Sequence, residues 1–184
     1  MGRRIYIGTA STPAAATVDT AGEGYFIGVG ISHSVSATNV AVSSANQTRA
    51  FQFVLPFRAK VTNIIAEVLG AGAAGKKFGV GLYDKDKNLI LKTVALDANS
   101  ATVQSDTLAT PVVLEPSIYW LAQTCDDAAT TFRSITVASI FDLNNENTVR
   151  CGTANASSAG VLPATLGTIT ASTSRNPIIV VFEP

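Results

Sequence analysis

A chain of 184 residues is long enough to bury its own core and short for two domains. Charged residues make up only 14% of it, and 13 basic residues balance 13 acidic ones. Typical soluble domains carry roughly 25% charge. The densest basic spots are Arg3-Arg4 and Lys76-Lys77, too little to release counterions from a phosphate backbone, so nucleic acid is excluded as a partner. No apolar run reaches membrane length, and no membrane partner is expected.

Residues 1 to about 48 hold four charges, Arg3, Arg4, Asp19 and Glu23, among many Ala, Gly, Ser and Thr. The stretch reads as an extended arm or irregular edge, with Gly24 to Ile31 an interrupted strand candidate. Apolar residues such as Ile5, Tyr6 and Tyr25 suit docking along a neighbouring protein, because a free solvated tail usually carries net charge. A β-sandwich domain is expected over 49–184.

From Arg49 onward apolar residues alternate. Phe51, Phe53 and Leu55 lead to Pro56. Ile64, Ala66 and Val68 follow. Phe78, Val80 and Leu82 alternate with Gly79, Gly81 and Tyr83. Leu89 to Val94 is a short β-prone run after the polar turn Asp84-Lys85-Asp86-Lys87-Asn88. Val112 to Leu114 precedes Glu115-Pro116. Ser117 to Thr124 is a strong strand with Ile118, Trp120 and Ala122 on one face. Ile178 to Phe182 is a closing apolar strand. Residues 152–176 hold one charge, Arg175, and read as a long loop or an excursion onto a neighbour. No helical period persists. The pattern predicts an all-β fold, a two-sheet antiparallel sandwich of jelly-roll type with Trp120 buried between its sheets.

Chemistry-bearing motifs fail on inspection. Gly70 to Lys76 imitates a dinucleotide or phosphate loop, but a strand pattern follows it instead of a helix, and Lys77 stands where a magnesium-binding hydroxyl belongs. Asp84 to Asn88 starts like a calcium loop, yet Leu89 and Ala95 occupy the glycine and bidentate-acid positions. His33 is the single histidine, and no ligand spacing joins it to Cys125 and Cys151. Asp126 and Asp127 are adjacent, and neighbours in an extended chain point to opposite faces. No catalytic residues, metal ligands or cofactor site are assigned, and no enzyme activity is expected. Two cysteines make no disulfide framework, so free buried thiols are expected. The first residues lack the apolar core of a signal peptide, which points to synthesis in a cytoplasm.

Four pieces between Leu55 and Ile135 resemble a jelly-roll β-sandwich module of tailed-phage virion surface proteins. They are Leu55-Pro56 with Lys60-Val61-Thr62-Asn63-Ile64, the Gly70 to Lys76 turn, Phe78-Gly79-Val80-Gly81-Leu82-Tyr83-Asp84, and Ser117-Ile118-Tyr119-Trp120-Leu121-Ala122. The resemblance implies a virion location and a structural role, as a capsid decoration, cement or short fibre protein, and homotrimers are common in such proteins. Expected partners are further copies of the chain and neighbouring virion proteins. The alternative is a carbohydrate-binding module that reads host glycans. Sugar sites stack exposed aromatic rings on the sugar, and Tyr83, Tyr119 and Phe132 are the candidates for glycan contact.

Overall fold

The structure is a computed structural model and describes residues 26–27, 37–41, 44–135, 145, 148–172 and 176–184. Its strands are β1 (Phe26–Ile27), β2 (Ala37–Ala41), β3 (Arg49–Leu55), β4 (Ala59–Gly70), β5 (Lys77–Tyr83), β6 (Leu89–Lys92), β7 (Leu96–Asp97), β8 (Val103–Leu114), β9 (Ser117–Cys125), β10 (Thr131–Ile135), β11 (Cys151–Thr153), β12 (Thr170–Ala171) and β13 (Val180–Glu183). The described residues contain no helix. The fold is all-β, as the alternation predicts.

Two antiparallel sheets face each other. In the first, β4 is central. It pairs with β8 along one side, and with β13 and then the start of β10 along the other. Strand β1 flanks β13, and β2 flanks β10. In the second sheet the order is β12-β11-β3-β9-β5-β6, with β7 also on β5. The pieces β1 and β2 of the amino-terminal stretch are thus edge strands. Residues 44–48 lead into β3, and the rest of that stretch, His33 included, lies outside the described residues.

Side chains alternate across each strand, so one face of each sheet can be apolar. The inner faces supply Phe53, Leu55, Tyr119, Leu121, Phe78, Val80 and Leu82 from the second sheet, and Val61, Ile64, Ala66, Val68, Phe132, Val180 and Phe182 from the first. Phe78 and Phe132 meet edge to face across the gap, with ring centroids 5.0 Å apart, a geometry that suits the ring quadrupoles. One polar residue crosses the same gap. The buried Gln123 carboxamide accepts the Ile178 amide at 2.8 Å and donates to the Asn176 carbonyl.

The second sheet is also buried on its outer face. Three rows of paired residues run across it: Thr124 beside Gly79, then Ala50-Ala122-Gly81, then Gln52-Trp120-Tyr83. Residues 154–169 lie over these rows as a strap. Leu162, Leu166 and Ile169 pack with Tyr83, Trp120, Ala50 and Ala122 in a second apolar cluster. The small rows let the strap's backbone come close. A side chain at Gly79 would run into the Gly160 carbonyl oxygen, and one at Gly81 would stand 3.0 Å from the Leu162 methyl. Gly160 itself has φ of 77°, a conformation that glycine adopts readily.

The low-charge stretch 152–176 is therefore, over its described part, a loop packed on its own sheet. Trp120 is buried at 3% exposure, but under this strap and not between the sheets as its strand pattern suggested. The parity of β9 gives the reason. Tyr119 and Leu121 point to the central core, so Trp120 must point away from it.

Candidate interaction surface

The residues singled out for chemistry are used internally. Tyr83, Tyr119 and Phe132 are buried, at 0%, 5% and 1% exposure. Tyr83 lies beneath the strap and its hydroxyl donates to the Pro163 carbonyl at 2.6 Å. Burial pushes its phenol well above the ordinary range. Tyr119 tilts against Phe53 in the central core, and its hydroxyl donates to the Glu115 carbonyl. Phe132 packs on Phe78. The three rings form no exposed stacking platform, because each sits where its strand's parity turns it inward or beneath the strap.

The Gly70 to Lys76 loop is held by the acidic pair. Asp127 accepts the Ala73 amide at 2.7 Å and the Ala129 amide at 2.8 Å, and Asp126 accepts the Lys77 amide at 2.7 Å. The Gly72 amide donates to the Ala98 carbonyl. The Gly72 and Ala73 amides of the loop are thus taken by the protein's own oxygens. The Ala129 and Ala73 amides hold the Asp127 carboxyl below the usual Asp range.

The Asp84 to Asn88 turn anchors the strap. Asp84 accepts the Asn88 amide at 2.9 Å, while the Lys87 carbonyl accepts the Leu166 amide and the Leu89 amide donates to the Ala164 carbonyl. Cys125 and Cys151 are buried, and burial pushes the Cys125 thiol up. Among the described residues no three His, Cys, Asp or Glu side chains come together to hold a metal ion.

What remains unfilled is a surface. Strand β8 is an edge, paired among the described residues with β4 alone. It spans 12 residues, about twice the usual strand length. An edge of this kind offers a row of unpaired backbone donors and acceptors, and monomers blunt it with charged side chains, prolines, short strands or bulges; β8 carries Asp106 and Pro111. Strand β8 has no Lys or Arg. It does carry a bulge, since Val61 faces Val112 and Asn63 already faces Thr107, so Leu108 to Pro111 loop out against Thr62. From Val103 to Thr107 the pairing with β4 is regular, and no second strand lies beside this segment among the described residues.

Its surroundings are mixed: Val103 pairs with Glu67 and Thr107 with Asn63 on the outer face, and apolar residues lie along the flank. Val103 is 59% exposed and Val94, on the connection between β6 and β7, is 64% exposed. Ile90, Leu108 and Val112 are half-buried behind them against the core. The single charge of β8, Asp106, is engaged: it accepts the Val94 amide at 2.6 Å and so ties the two sheets together along this flank. A second apolar spot lies at the uncovered end of the second sheet, where Val54 pairs with Ile118. It sits on sheet interior positions, whereas β8 adds open backbone groups to apolar side chains.

The signal for β8 was weak in the sequence. Only Val112 to Leu114 is apolar enough to be read as a strand, and Val-Gln-Ser-Asp-Thr at 103–107 reads as polar loop because neither of its faces is fully buried. Neither a protein-family model, nor a curated protein, nor a solved structure matches this chain.

Proposed function

We propose that this protein is a structural building block that assembles with itself and with neighbouring proteins of a tailed-phage virion, as an exposed accessory of the capsid or a short fibre. The observation that carries the assembly reading is the β8 flank: a sheet edge with no Lys or Arg of its own, beside which Val103 and Val94 are exposed. The overall charge of 14% supports it, because a lone soluble domain keeps more charge on its surface. The virion location rests on the sequence resemblance between Leu55 and Ile135. The role needs no catalysis and no cofactor.

Two measurements test the two halves. Light scattering at micromolar concentration gives a stable oligomer, and a clean monomer of 19.0 kDa overturns the assembly role. Mass spectrometry of purified particles from a host carrying the gene finds the chain in stoichiometric amount. Its absence from the particles overturns the virion location.

A further inference from the structure

The geometry points to one occupant for this edge: we infer that β8 pairs antiparallel with β8 of a second copy, across a two-fold axis at Ser105. The inference rests on the assembly reading above and goes beyond it by naming the contact. A two-fold contact uses the same patch on both copies, so the patch must be complementary to itself. The Val103 to Thr107 segment meets that condition in one register. Centred on Ser105, the pairing sets Val103 against Thr107 and Gln104 against Asp106, and each segment is used in full.

Neighbouring registers are worse. A centre at Asp106 places two carboxylates against each other, which is unfavourable for directly opposed strand residues. A centre at Thr107 runs the pairing into Leu108 to Pro111, where β8 leaves its ladder with β4. A centre at Gln104 shortens the overlap, because the strand begins at Val103. The chosen register also respects the faces of the sheet. Ser105 pairs with Ile65, so it lies on the outer face of the first sheet, exposed and unhindered. The two first sheets become one sheet running through both copies. The exposed Val94 beside Asp106 then lies next to the contact and is covered by it. With no net charge on the chain, two copies approach without overall repulsion.

Ser105→Cys tests the register directly. Opposed residues in an antiparallel pair have Cβ atoms about 4.5–5.5 Å apart, close to disulfide geometry. Mild oxidation of this variant gives a covalent dimer, while Asn99→Cys, on an exposed turn, gives none. The native cysteines are buried and add no background. Ser105→Lys sets two cations against each other and weakens dimerisation at least about tenfold, with the circular dichroism spectrum unchanged. If the unmodified protein is an oligomer but Ser105→Cys fails to cross-link, the two-fold β8 contact is wrong and the assembly reading stands. A strict trimer in solution overturns the two-fold contact in the same way. A monomer at high concentration overturns both.

Discussion

At the scale of single residues, Trp120 shows how a side chain can be buried in a place its pattern does not reveal. Alternation places Ile118, Trp120 and Ala122 on one face of β9, and that grouping holds. The face itself could not be assigned, because both faces of the second sheet are covered and parity alone does not say which cover is the core. Trp120→Ala is expected to cost about 3–5 kcal/mol, the usual penalty for removing a buried aromatic. Urea unfolding measures it, and unchanged stability would mean that the strap does not hold Trp120. The Asp126-Asp127 pair teaches the opposite lesson. Its residue types suggested chemistry, yet Asp127 binds the Ala73 amide of the Gly70 to Lys76 loop and Asp126 the Lys77 amide that follows it. The Asp127 carboxyl titrates below its unfolded value. Its stabilisation is therefore complete above about pH 4 and fades as pH falls through the lowered folded value. Asp127→Ala removes that component. The variant is less stable than the parent at neutral pH, and the gap narrows in thermal melts as pH falls below about 4. A gap that stays constant down to low pH would show that charge is not the cause.

At the scale of elements, the strands with one apolar face were legible and the remainder were not. β3, β5 and β9 follow the alternation closely, and the apolar β13 follows its own run. β10, β11 and the first half of β8 escape it, since they are short or polar. The strap shows another limit: a sequence poor in charge signals burial but not the identity of the covering surface. Gly79 and Gly81 read only as one face of an alternating strand, while in the structure Gly79 leaves room for the strap's backbone at Gly160 and Gly81 for the Leu91 carbonyl and the Leu162 side chain. Gly79→Val tests this. The new side chain meets the Gly160 carbonyl, which belongs to backbone and yields poorly. A loss of about 1–3 kcal/mol is expected, in the range of overpacked cores. The single tryptophan reports the displacement, because lifting the strap wets Trp120 and shifts its emission to the red. Loss of stability without that shift would place the strain elsewhere.

At the scale of the whole molecule, the scarcity of charge connects the fold to its proposed work. The polar surface relies largely on Ser, Thr, Asn and Gln, and the β8 flank carries one carboxylate that is already bonded. An association driven by apolar side chains and backbone hydrogen bonds depends little on salt, unlike one between charged faces. Raising sodium chloride from about 0.05 M to about 0.5 M is expected to change the dimer dissociation constant by less than about threefold, measured by analytical ultracentrifugation. A steep fall in affinity would move the contact to a charged site such as the Arg58–Glu115 pair at 2.9 Å.

The pairing of β4 with β13 has a consequence for how the chain reaches this state. Val180 joins Ala66 and Phe182 joins Ile64, and Arg49 reaches Thr153 across 104 residues of sequence. Apart from the local pairings of β5 with β6 and β7, almost every ladder closes a long loop before it gains a contact. Such topologies fold in roughly milliseconds to seconds, orders of magnitude slower than locally connected bundles. During synthesis, β4 must wait for the last strand while its apolar residues stand open. Ribosome-bound chains halted before Ile178 are therefore expected to remain protease-sensitive, and protection appears only once Glu183 has cleared the exit tunnel.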